Sequence, residues 1–296
     1  QPLSTPEPIT MSHTLRLGAA APPRTEPAAA RPLTPPLPLP LPPRWRLPPA
    51  LWAWPVPLAV LALWWLAADA GWIAPQVLPA PAAVGRTLWE MVQSGELWGH
   101  LQISLWRVLI GFALGLGLGL LLGVAMGLSP TTKDLLYPSF KAFSQVPVLG
   151  WLPLLMLLVG IDEALKVIIV AKAALVPVTL NTYKGLQNVP TRYIEVAQVL
   201  GFSRWHLLRQ VVAPAALAPL WGGVRYGLTQ AWLALVVVEL LASSEGLGYL
   251  IVYGRQLFQL DVVMAAVIVV GAVGYALDRM LATMEARLLG WRRTGL

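Results

Sequence analysis

Residues 108–128 read VLIGFALGLGLGLLLGVAMGL, twenty-one positions without one charge. A helix of that length rises about 30 Å, the thickness of a bilayer's hydrocarbon core. Lipid offers no partner to backbone N–H and C=O groups. A helix satisfies its own, so a helix is the form this stretch takes there. Gly111, Gly115, Gly119, Gly123 and Gly127 recur at a spacing of four and fall on one helix face. The smooth groove they leave lets another helix approach closely. It reads first as tight packing within the chain, and second as a seam between two copies.

Five more apolar runs accompany it: 51–68, 142–161, 167–183 with Lys172 inside, 211–238 with Arg225 inside, and 262–277. None alternates in polarity, which excludes a membrane barrel. The predicted fold class is an all-α integral membrane protein with six transmembrane helices. Composition agrees: of the 296 residues, 57% are hydrophobic and 12% charged, where a soluble domain carries about 25% charge. The composition therefore argues against a soluble enzyme. The chain has no cysteine, and its three histidines (His13, His100 and His206) are scattered. The sequence thus predicts no metal site and no catalytic residue. It contains no G-x-x-x-x-G-K-[ST], so no ATP is bound by this chain itself.

Residues 1–50 hold 15 of the 28 prolines. They predict a disordered tail, with no signal-peptide h-region and with Met11 read as a start; residues 51–296 form the membrane domain. With the N-terminus inside, 15 of the 21 Lys and Arg fall on inner segments. Three fall outside (Arg86, Lys166 and Arg255), and Arg107, Lys172 and Arg225 sit in or beside spans. That bias predicts both termini in the cytoplasm. It also accounts for the net charge of +7 without any nucleic-acid partner; the partner of the bulk of the surface is membrane lipid.

The longest inner loop, 184–210, is too long for a turn. It reads as two short helices, with Gly201 stopping the first and Ser203 capping the second. Such an elbow on the cytoplasmic face reads as a docking element, or as an amphipathic helix lying on the membrane. Charges inside spans face a cavity or a partner. Arg225 reads equally as an anion contact and as a structural ion pair; Lys172 reads as an anion contact or as a cation reaching the outer interface. Gln145, Asn181, Trp232 and Glu239 complete the candidate pathway. The segment after Glu239 reads as a re-entrant gate or an ordinary connection. Pro147, Pro153 and Pro177 are candidate kinks.

Glu195-Val196-Ala197, three residues, Gly201, nine residues, then Val211-Val212-Ala213-Pro214 resembles the EAA loop of ABC-importer permeases. The resemblance covers roughly 60–293 and is nearest to the aliphatic sulfonate, nitrate and taurine group. Further matching residues are Ser104-Leu-Trp-Arg107, Gly160-Ile-Asp-Glu163 with Lys166, Gly223-Val-Arg225, Glu239, Gly246-Leu-Gly248 and Asp278. The resemblance implies a permease with the type I importer fold, whose coupling-helix elbow carries Glu195, Ala197 and Gly201. It implies two copies of a cytoplasmic ATPase, with ATP and Mg acting there. It further implies a periplasmic binding protein, a second permease copy in a homodimer, and a bacterial inner membrane. The expected cargo is a small organic anion, an aliphatic sulfonate first, with taurine, nitrate or a pyrimidine precursor as alternatives. A secondary transporter driven by an ion gradient is the competing class.

Overall fold

A computed structural model of the chain describes residues 54–72, 74 and 77–290. The tail predicted over 1–50 lies outside them. Among the described residues every regular element is helical: α1 Pro55–Asp69, α2 Pro81–Gln93, α3 Glu96–Leu128, α4 Pro130–Gln145, a 3-10 turn Val148–Trp151, α5 Leu152–Val159, α6 Glu163–Gln187, α7 Thr191–Val199, α8 Arg204–Leu207, a π-helical turn Leu208–Val212, α9 Ala213–Ala242, α10 Leu247–Gln256 and α11 Leu260–Leu288.

Helix α6 is the centre of the bundle, with α3 along one side and α9 along another. The glycine stripe of α3 faces α6 of the same chain. A Cβ on Gly111 would stand 2.6 Å from Val170, one on Gly119 2.9 Å from Val178, and one on Gly123 2.6 Å from Thr182. At Gly115 it would strike the Ala171 carbonyl, and at Gly127 the side chain of Leu186. The opposite face of α3 exposes Leu109, Leu114, Leu118 and Leu121. Small residues inward and leucines outward is the reverse of a water-soluble helix, and it suits lipid.

Among the described residues three helical stretches are long and apolar enough to cross a membrane: α3, the stretch Arg204–Gln256 that contains α9, and α11. Helix α6 covers the predicted span over 167–183. Its 25 residues rise about 37 Å, and it carries Lys166, Lys172 and Lys184. Helix α1 has only 15 residues, about 22 Å; residues 51–53 of that predicted span lie outside the described ones. The span predicted over 142–161 requires correction. The chain breaks at Val146–Pro147, and α4 and the following helix are bent by 89°. Proline lacks the N–H a helix needs and drives the preceding residue to extended backbone, and Val146 is extended (φ −75°, ψ 118°). Among the described residues length and apolarity return three spans, or four if the bent pair counts as one, against the six predicted for the chain.

The other candidate kinks behave differently. Pro153 sits in the first turn of α5, where a missing N–H costs nothing. Pro177 lies inside α6 without ending it. The segment after Glu239 folds as α10, a helix with Leu247, Gly248, Leu250 and Gly254 buried.

Candidate functional site

The loop 184–210 forms the two helices its sequence predicts. Helix α7 ends in a Schellman motif: the Phe202 N–H donates to the Ala197 carbonyl and the Gly201 N–H to the Gln198 carbonyl, both at 3.0 Å. Gly201 takes φ +74°, a left-handed conformation that costs other residues. Ser203 Oγ then accepts from the His206 N–H at 3.3 Å, capping α8. Ala197 is the buried residue of α7, whereas Glu195 is exposed. Around Glu195 the elbow presents Val196, Val199, Leu200 and Trp205, of which Val199 is 88% exposed. An elbow that exposes a charged residue together with several large apolar side chains has the composition of a partner surface.

A second cluster joins the ends of three spans. Arg107 holds Glu163 with two hydrogen bonds, Nε to Oε2 at 2.7 Å and Nη2 to Oε1 at 2.5 Å. Its Nη1 donates to Glu239 Oε1 at 2.8 Å and to the Glu245 carbonyl at 2.8 Å. Lys166 Nζ donates to Glu163 at 2.8 Å. Glu239 is 1% exposed. It accepts further from Ser104 Oγ at 2.9 Å and from the Gly248 N–H at 3.0 Å. The start of α10 is thereby tied to α3 and α9. Gly246 takes φ +106°, and any Cβ there would strike the Glu239 carboxylate. The Arg107 guanidinium, by hydrogen bonding and charge, holds the Glu163 carboxyl well below its usual range, at about 2. The sequence singles out Glu239 but not its partners Arg107 and Ser104, nor Glu163 on the other side of the guanidinium. The available signal was three charges abutting apolar runs on the same predicted side of the membrane.

A third feature is a cavity of about 420 Å³ between α6, α9 and the break after α4. Lys172 and Asn181 line it together with Ser144, Tyr226 and Gln230. Lys172 is 9% exposed, and its Nζ donates to the Val146 carbonyl at 2.9 Å. The break frees that carbonyl from the helix ladder. The ammonium also lies over the rings of Phe143 at 4.8 Å and Trp151 at 5.5 Å. Asn181 Nδ2 donates to the Pro177 carbonyl at 2.8 Å.

The six pathway candidates are not gathered in one place. Lys172 and Asn181 share the cavity, whereas Gln145 is exposed and does not line it, although its chain neighbours Ser144 and Val146 do. Arg225 instead pairs with α11, through Nε to Asp278 Oδ1 at 2.6 Å, Nη2 to Oδ2 at 2.8 Å, and Nη1 to Glu285 at 3.4 Å. Trp232 is buried and donates to the Val270 carbonyl at 3.3 Å. Glu239 belongs to the Arg107 cluster.

The family model for binding-protein-dependent transport system inner membrane components matches residues 115–290. Two relatives are named as aliphatic sulfonates transport permease proteins. The one from Bacillus subtilis (strain 168) is 41% identical over 240 residues, covering 81% of this chain and 87% of its own. The one from Escherichia coli (strain K12) is 41% identical over 238 residues, covering 80% and 90%. A taurine transport system permease protein of Escherichia coli (strain K12) is 33% identical over 255 residues, covering 81% and 93%.

Proposed function

The chain belongs to the family of binding-protein-dependent transport system inner membrane components. On that premise it is a non-catalytic, membrane-spanning permease subunit of an ABC importer, and we propose that its cargo is a small organic anion of the aliphatic sulfonate class, moved from periplasm to cytoplasm. The observation that carries the choice of cargo is the 41% identity to two sulfonate-named permeases of different bacteria, against 33% for the taurine-named one. A family whose members depend on a binding protein also speaks against the ion-gradient reading.

In this proposal two copies of the chain pair in a bacterial inner membrane, with both termini in the cytoplasm. Two ATPase subunits bind ATP and Mg, and each receives one elbow. Glu195 pairs with a basic group of the ATPase while the exposed apolar residues of α7 and α8 seat in its surface. Ala197 and Gly201 keep the elbow compact: the first is on the buried face of α7, and the second turns the chain into α8. Closure of the ATPases then moves the elbows. Because α8 continues through the π-helical turn into α9, that movement reaches the helix that lines the cavity. The binding protein delivers cargo at the opposite face.

Reconstitution in liposomes tests the reading. With the partner ATPase and binding protein present, hexanesulfonate is expected to stimulate ATP hydrolysis more than taurine or nitrate, and Glu195→Arg is expected to abolish the stimulation. Stimulation by taurine or nitrate alone would replace the cargo. Failure of the folded chain to assemble with an ATPase would remove the reading altogether.

A further inference from the structure

Buried cations in this bundle are neutralised, with one exception among the described residues. Arg107 meets Glu163 and Glu239, and Lys166 meets Glu163. Lys172 is buried to a similar degree, yet its ammonium meets only a neutral carbonyl and two aromatic rings. An unneutralised charge at membrane depth is costly. An ammonium has three donors, and here one is spent on Val146. The cavity beside it supplies neutral polar groups from Ser144, Asn181, Tyr226 and Gln230 and a second cation from Lys184; no Asp or Glu among the described residues lines it. The Trp151 indole N–H next to the ammonium is buried and has no hydrogen-bond partner among the described residues. A cavity with two cations, several neutral donors and no acid attracts an anion and repels a cation.

The geometry also sets depth. The cavity runs along α9 from Tyr226 to Val237, about 16 Å of helix, with Gln230 facing it between the two. It reaches from Lys184, where the loop to the elbow begins, to Val237, two positions before Glu239, and it is open on the side where Tyr226 and Leu233 are exposed.

We propose that this cavity is an anion site, in which the Lys172 ammonium receives the charged headgroup of the transported organic anion while Ser144, Tyr226 and Gln230 hydrogen-bond it. The inference rests on the importer reading for the identity of its ligand, but the site itself is tested without ATPase or binding protein. The purified full-length chain, in phosphatidylcholine nanodiscs, is melted against increasing hexanesulfonate and against its neutral analogue hexanesulfonamide. A ligand that binds the folded state raises the melting temperature. The wild-type chain is expected to respond to the sulfonate and not to the sulfonamide. Lys172→Met is expected to weaken the response about 10- to 100-fold in ligand concentration, the range of one charge-assisted hydrogen bond, and Lys172→Arg to keep most of it.

Since Lys172 also holds the Val146 carbonyl, a second variant acts from another helix. Gln230→Glu places a carboxylate in the cavity without touching that bond, and is expected to weaken sulfonate binding while leaving Lys172 in place. An equal response to both ligands, or an undiminished sulfonate response in both Lys172→Met and Gln230→Glu, would overturn the proposal. So would loss of the wild-type response when phosphatidylglycerol replaces part of the lipid, because a lipid headgroup would then be the occupant. ATP-driven uptake, measured separately in the assembled system, addresses the importer reading. Its absence beside an intact sulfonate response would fail that reading and leave the anion site standing.

Discussion

Arg107 and Glu239 stand 132 positions apart in the chain, yet Nη1 of the first lies 2.8 Å from Oε1 of the second, and both side chains are almost wholly buried. The pair pins the end of α9 to α3, and the remaining guanidinium nitrogens carry Glu163 of α6. Removing one member of a buried pair strands the other's charge at a cost of about 3–5 kcal/mol, whereas replacing both with apolar groups costs far less. Arg107→Met is therefore expected to lower the melting temperature of the purified protein strongly. Arg107→Met with Glu239→Met is expected to recover much of the loss. A double variant as unstable as the sum of the two single ones would show that the two residues are not coupled.

Glu163 links this cluster to acid stability. Hydrogen bonding and charge from Arg107 hold its carboxyl at about 2, against an ordinary value of 4.5. The folded state therefore binds fewer protons than the unfolded one between these values. The stability that Glu163 contributes is present above pH 4.5 and is lost as pH falls towards about 2. Thermal melts over that window are expected to fall more steeply for the wild-type chain than for Glu163→Gln. Parallel curves would remove Arg107 as the cause.

Most of the helices were legible in the sequence, because lipid leaves the chain so few choices. An uncharged run of about 20 residues must become a helix; α3 and α11 each contain a predicted run, and α9 holds all but the first two residues of another. The elbow was legible down to single residues, since Gly201 and Ser203 carry local backbone chemistry that needs no distant partner. What the sequence withheld is long-range. Pro147 marked a break without stating its 89° bend. Arg225 looked the same whether it faced an anion or Asp278, because its partner lies on another helix, 53 positions away. Arg107, Glu163 and Glu239 were each visible as charges beside apolar runs; that one guanidinium holds both carboxylates is a fact of helix packing.

The glycine stripe admits a paired test on a single helix. A Cβ on Gly119 would stand 2.9 Å from Val178, whereas one on Gly117, two residues away, meets nothing within 4 Å. Gly119→Ala must push α3 away from α6, at a cost of about 1–3 kcal/mol. Gly117→Ala adds a better helix former on an open face and is expected to be neutral or slightly stabilising. Melting temperatures of the two variants in the same detergent decide the matter. Equal losses would place the seam elsewhere, and a loss of copy-to-copy association by Gly119→Ala alone, with the monomer intact, would assign the stripe to a contact between chains.

Gly201 separates backbone geometry from surface chemistry at the elbow. Its φ of +74° is left-handed, and no neighbouring atom lies within 4 Å of a Cβ placed there. A substitution therefore meets conformational strain alone, without a clash. Asparagine tolerates this region best, alanine bears roughly 1–2 kcal/mol, and a β-branched residue bears more. The expected order of damage is Gly201→Asn, then Gly201→Ala, then Gly201→Val. The effect falls on the junction of α7 and α8 and not on the bundle, because the elbow packs outside the α3–α6–α9 core. Hydrogen exchange is expected to rise at the amides of Gly201 and Phe202, whose Schellman bonds the strain loosens, while those of α6 stay protected. In the reconstituted importer the same order is expected for loss of coupling between cargo and ATP hydrolysis. Coupling lost equally in all three variants would mean that the ATPase touches Gly201 itself, so that any side chain obstructs it, and would move the role of this glycine from shaping the elbow to forming the contact.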